Sequence, residues 1–198
     1  MVLKRWQLGG ATQFRAEEQN EQRVIEGYFA VFDGTYELWP GATESIDRNA
    51  FDGELDGDVR ALIDHDTRLV MGRTIAGTLT LRVDTHGLWG RIVINPDDQD
   101  AVNLYARVKR GDVSQSSFGF EILDEERTIN ESTGDVHWLI KRVKLYEVSV
   151  CTFPAYQSTS VSARADEMAQ VKKRQFENWK ENLKARLSKN GSATNQTA

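Results

Sequence analysis

A two-residue rhythm governs the second half of this chain. In the run Ser116-Ser117-Phe118-Gly119-Phe120-Glu121-Ile122, the side chains of Phe118, Phe120 and Ile122 fall on one face of an extended strand. Ser117 and Gly119 are left on the other face. Leu145–Val150 repeats the pattern, with Tyr146, Val148 and Val150 on one side and Leu145, Glu147 and Ser149 on the opposite side. Earlier runs are also strand-like: Ile25–Phe32, Val59–Ile63, and a hairpin of Gly77–Val83 and Leu88–Ile94 around Asp84-Thr85-His86-Gly87. Val113–Leu123 is expected to pair with Val136–Ile140 across a polar turn from Asp124 to Asp135, and Lys141–Thr152 to continue as strand until Phe153-Pro154 ends it. Only one internal stretch has helical spacing. It starts at Asn95-Pro96-Asp97-Asp98, carries Ala101, Leu104, Tyr105 and Val108, and stops at Gly111. Many strands and one firm helix predict an α+β, mainly β fold: a closed or nearly closed β-barrel flanked by helices.

The flanks differ from this body. Residues 1–23 are polar enough to read as a flexible lead-in, and the barrel domain is expected over 24–162. In 163–189, Met168, Val171, Phe176, Trp179, Leu183 and Leu187 recur at helical spacing, which predicts an amphipathic helix. The small polar residues of 190–198 predict a disordered tail. With 198 residues the chain is long enough to bury a real core. From Arg164 onward eight Lys/Arg face four Asp/Glu, whereas the rest of the chain has 17 basic and 26 acidic residues. An acidic body argues against nucleic acid as a partner, because phosphate neutralisation supplies most of that affinity. No apolar run reaches bilayer-spanning length, so no membrane partner is expected, and the N-terminus lacks the apolar stretch of a signal peptide. A single cysteine, Cys151, leaves no disulfide framework and no Cys-cluster zinc site, as in a reduced intracellular protein.

Three histidines can be weighed one by one. His86 lies in a hairpin turn, and His137 opens a strand beside a loop. His65 follows an apolar strand and is flanked by Asp64 and Asp66, where an imidazole can be held. A serine hydroxyl becomes a useful nucleophile only when a neighbouring base takes its proton, and imidazole, with a reference pKa of about 6.5, suits that task. The base in turn needs a partner that fixes its tautomer. Glu147 is the candidate, as a carboxylate inside an apolar strand run; its ordinary alternative is a wet sheet face. Asp64, His65 and Asp66 could also be read as metal ligands. Adjacent residues seldom aim at one ion, however, and no His-x-x-x-His pair completes a site. There is also no phosphate-binding or dinucleotide motif, so neither metal nor cofactor is expected.

Taken in order, several segments resemble the prohead (capsid-maturation) serine proteases of tailed bacteriophages, whose fold is related to the herpesvirus assemblin proteases. They are Gly27–Phe32, Glu44-Ser45-Ile46 with Asn49-Ala50-Phe51, Leu62–Asp66, Gly72-Arg73-Thr74, Gly77–Leu81, Gly87-Leu88, Gly111–Phe120, and Leu145–Val150 through Tyr156. The likeness covers Gly27 to about Val161. It implies a catalytic triad of Ser117, His65 and Glu147. Ser114 and Ser116 stand close enough to be alternative nucleophiles, and strand parity favours Ser117. Arg73 is a candidate helper for the oxyanion. The family's usual Pro-Gly before Ala-Phe is here Arg48-Asn49, a departure in a turn and not in the triad.

The same resemblance implies a role. Such a protease acts in the host cytoplasm, inside the assembling procapsid. It cuts scaffold or the scaffolding segment of the major capsid protein, and cuts itself; a homo-oligomer is compatible with this. The alternative from another class is a non-enzymatic assembly or scaffolding protein that works through its barrel and C-terminal helix.

Overall fold

One continuous strand of 16 residues, Val136–Cys151, organises the molecule. Long period-two sequences favour such a strand, because every second side chain can be buried while the other face meets a different environment. The computed structural model describes residues 4–7, 14–19, 22–32 and 34–153, together with helical positions at 173, 176, 177, 180 and 181. In chain order the elements are β1 (Lys4–Gln7), β2 (Arg15–Gln19), β3 (Gln22–Val31), β4 (Tyr36–Trp39), β5 (Ala42–Ile46), β6 (Arg60–Ile63), β7 (Asp66–Arg73), β8 (Leu79–Val83), β9 (Gly87–Val93), α1 (Gln99–Arg110), β10 (Gln115–Ile129) and β11 (Val136–Cys151). Two compact units are distinguished, Met1–Gln157 and Ser158–Ala198. The helix expected over 163–189 and the tail over 190–198 lie outside the described residues, apart from the five helical positions just named.

The strands form two separate sheets. In the larger, β11 lies antiparallel to β10 along its whole length, and β1 covers the far edge of β10. On its other side β11 takes two parallel partners in succession. Its first half pairs with β5, Val136 opposite Ala42, and its second half pairs with β6, Glu147 opposite Arg60. β4 extends the first branch and β7 the second. The smaller sheet runs β2-β3-β9-β8.

This corrects the expected closed barrel: among the described residues the architecture is mainly β, with two sheets and no closed barrel. A period-two pattern reports that one strand face is buried. It cannot tell a barrel from two packed sheets, because closure depends on stagger between strands, which has no local signature. Two boundaries also differ. The supposed flexible lead-in contains β1 and β2, and the predicted turn from Asp124 is strand as far as Ile129.

A single apolar cluster draws on both sheets and on α1, with Ile25, Phe29, Leu88, Leu104, Phe118, Phe120 and Val148 among its members. Phe118 sits 4.8 Å from Phe120 and 5.7 Å from Phe51, ring centre to ring centre. Rings this close pack β10 firmly by its apolar face. The helix obeys its sequence signals: Asp98 caps the N-terminus by accepting from the backbone N–H groups of Asp100 and Ala101, and Gly111 ends it at φ 88°. Its buried residues are Ala101, Leu104, Tyr105 and Val108.

Candidate active site

The geometry begins at a tight turn. Ile63 pairs with Asp66, so Asp64 and His65 alone connect β6 to β7. Both have left-handed backbones, with φ of 49° and 61°. A type I′ hairpin turn requires positive φ at both central positions, and Asp and His tolerate it better than most residues. Such a conformation still costs about 1–3 kcal/mol per residue and persists only where surroundings enforce it.

Here the enforcing element is β11. The Asp64 backbone N–H donates to the Val150 carbonyl at 3.1 Å. The Asp64 carboxylate accepts from the Thr152 backbone N–H at 2.7 Å and from its hydroxyl at 3.2 Å. The His65 backbone N–H donates to the Ser149 hydroxyl at 3.3 Å. These bonds fold the turn back over β11 and deliver the imidazole to Glu147, with Nδ1 2.6 Å from Oε1. The second oxygen of Glu147 accepts from Ser149 Oγ at 2.6 Å.

A carboxylate can only accept, so the proton between it and Nδ1 belongs to the ring. In the neutral imidazole this leaves Nε2 as the acceptor, and Nε2 is buried without a hydrogen-bond partner among the described residues. His65 and Glu147 are 8% and 6% exposed, and Ser149 is fully enclosed. At that burial the pair is shielded from bulk solvent.

Ser117 sits one strand away, directly opposite Ser149, and Gly119 sits opposite Glu147. Cross-strand partners share a face. Hence Ser117 and Gly119 look toward the same side as the imidazole–carboxylate pair. A Cβ on Gly119 would lie 2.3 Å from Glu147 Oε1, so only glycine leaves room for the carboxylate. Ser117 is itself enclosed and is not hydrogen-bonded to His65 Nε2. Ser116 takes the opposite face, and its hydroxyl donates to the Tyr28 carbonyl of β3 at 3.0 Å. Ser114 precedes β10 on an exposed stretch.

The other residues singled out in the sequence are occupied elsewhere. The Asp66 carboxyl is driven down to about 2 by hydrogen bonds from Arg68. The Arg73 guanidinium grips Asp58 through two bonds of 2.6 Å and holds the Asp58 carboxyl below its usual range. Asp64, His65 and Asp66 thus face three different partners, and no His/Cys/Asp/Glu cluster suited to a metal occurs among the described residues. His86 is exposed and stands edge-on to Tyr28 at 4.5 Å. In His137 both ring nitrogens meet hydroxyls, Thr43 Oγ1 and Ser45 Oγ, each at 2.8 Å. Among the described residues no helix is long and apolar enough to cross a membrane.

Ser149 was not legible as a member of this site, because it reads as one more residue on a strand face. The available signal was its spacing: two residues beyond Glu147 on the same strand, it must share that residue's face.

An imidazole held at Nδ1 by a carboxylate, with Nε2 free and serine on the neighbouring strand, is the equipment of a serine hydrolase. Comparison with known proteins gives the class its particular member. The family model of the caudovirus prohead serine proteases matches residues 11–174, and the chain belongs to that family. It is similar to the prohead protease of Enterobacteria phage HK97, 29% identical over 173 residues that span 85% of this chain and 72% of that one. No solved structure matches it. The protein is therefore a serine peptidase of phage capsid maturation, which sets aside the non-enzymatic scaffolding alternative.

Proposed function

We propose that Ser117 is the nucleophile, His65 the general base and Glu147 the residue that holds His65. In this reading Ser117 Oγ attacks the scissile carbonyl while its proton passes to His65 Nε2. The imidazolium then gives that proton to the leaving amine, and water reverses the sequence to release the acyl group. Glu147 keeps the ring in the tautomer that leaves Nε2 free and stabilises the cation formed on it. The observation that carries the reading is the enclosed His65–Glu147 contact of 2.6 Å on the face to which the register assigns Ser117. Parity also separates Ser117 from Ser116, whose hydroxyl is engaged with β3.

The substrates are the scaffold or the scaffolding segment of the major capsid protein, and the chain itself, inside the procapsid. Support comes from family membership and from the similarity to the HK97 prohead protease. The test is co-expression of the full chain, or its Ser117→Ala variant, with the capsid and scaffold proteins of the same phage, followed by intact-mass analysis of every chain. The expected result is truncation of capsid or scaffold protein and of the protease, all absent with Ser117→Ala. Normal processing by a folded Ser117→Ala chain would remove Ser117 from the role.

A further inference from the structure

We propose that Ser149 is a positioning residue of this active site, acting through Glu147 and His65 and not as a nucleophile. The inference rests on the roles proposed above for those two residues. Both capacities of the Ser149 hydroxyl are committed: its proton goes to Glu147 Oε2 at 2.6 Å, and its oxygen accepts the His65 backbone N–H at 3.3 Å.

Each bond controls a different coordinate. A terminal carboxylate torsion is soft and has broad preferences. With Oε1 on the imidazole and Oε2 bare in an enclosed space, the carboxylate would turn to seek a second donor, because an unsatisfied buried acceptor is costly. The Ser149 proton stops that rotation. The second bond anchors the backbone of His65, whose left-handed φ of 61° needs outside support. One hydroxyl therefore couples the aim of the carboxylate to the seat of the imidazole.

Its position supports this. Ser149 is fully buried, and the β11 residues on the opposite face, Val148 and Val150, fill such places with hydrocarbon. A residue needed there for bulk alone would carry no group that must be satisfied. Ser149 is also unsuited to attack. Its proton points to the carboxylate, and the imidazole nitrogen left open is Nε2, not the Nδ1 that faces this side.

The experiment uses the full chain and inactivation by a fluorophosphonate, which yields a rate at saturation and a half-saturating concentration. Ser149→Ala is expected to slow saturated inactivation roughly 10- to 100-fold, with the half-saturating concentration unmoved. Ser149→Cys keeps the shape but donates poorly, and should be as slow as Ser149→Ala. Ser149→Thr keeps the hydroxyl and should recover most of the rate. In a Ser117→Ala background, the downfield proton resonance of His65 Nδ1–H reads the hydrogen bond directly, and it should be displaced when Ser149→Ala is added. Thermal unfolding verifies that each variant is folded. A wild-type rate for Ser149→Ala, or equal rates for folded Thr, Cys and Ala variants, overturns the role of Ser149. Glu147→Gln separates the two levels. If it too reacts at the wild-type rate, the underlying site reading falls; if it is slow while Ser149→Ala is not, only the inference falls.

Discussion

Each half of β11 has a histidine beside hydroxyl groups, His137 on the strand itself and His65 on the turn packed against it, and the two differ in what their ring nitrogens meet. In the first half, Thr43 and Ser45 occupy both nitrogens of His137 at 2.8 Å. In the second half, a carboxylate occupies one nitrogen of His65 and the other is left open in an enclosed space. Proximity of serine to histidine is thus a poor marker of a base. The useful marker is asymmetry: one nitrogen pinned by an acceptor that cannot give up a proton, and one free to receive it. Parallel pairing of β11 first with β5 and then with β6 produces both arrangements from a single strand.

The comparison breaks most decisively by deleting each imidazole. His65→Ala is expected to lower cleavage by about a millionfold, the scale seen when a triad base is lost, whereas His137→Ala should cleave at the wild-type rate. Capsid-protein processing on gels checks both, and loss of activity in a folded His137→Ala chain would reverse the assignment. Glu147→Gln keeps size and shape but can offer an N–H where the ring N–H stood. A loss of about ten-thousandfold is expected, seen in turnover more than in substrate affinity.

Gly119→Ala probes the same pair from β10. The added methyl meets Glu147 Oε1 at 2.3 Å, so the carboxylate must move. Activity should fall roughly a hundredfold through mispositioning, and stability should drop by about 1–3 kcal/mol from overpacking. An unchanged rate would show that Glu147 tolerates displacement.

The smallest effect concerns the open end of the hairpin that carries His65, where Arg73 holds Asp58 in solvent. The folded Asp58 carboxyl titrates below its unfolded value, held there by the Arg73 hydrogen bonds. Its stabilisation is therefore fully present above the unfolded range near pH ~4 and is lost as pH falls through the depressed folded value. Asp58→Asn should lower the Tm slightly at neutral pH and not at all in strong acid. Equal Tm differences at both extremes would show that the Asp58 charge does not matter.

What the sequence made legible follows from the range of each signal. The helix announced its cap, its buried stripe and its stop through neighbours a few residues apart, and α1 follows all three. The alternation around Phe118 gave the face of β10 that carries Ser117. β2 was hidden because Arg15-Ala16-Glu17-Glu18-Gln19 is a polar edge strand with no apolar alternation, and the outer part of β10 because Asp124, Glu125 and Glu126 read as a turn. The pairing of β6 with β11 was invisible for a deeper reason: which strands meet depends on contacts between distant segments, and no local pattern encodes it. Even so, the contact between His65 and Glu147 depends on that pairing, and so does the place of Ser149.

That dependence has a consequence in time. His65 and Glu147 lie 82 positions apart, and the contact between them exists only once β6 has docked in parallel on β11. Parallel, non-local pairings form late, after the entropy of a long loop has been overcome. During synthesis, the turn bearing the imidazole emerges well before the strand that completes it. A newborn chain therefore carries a histidine with no carboxylate to orient it, and under the roles proposed above it gains the power to cut only as that long-range strand falls into place.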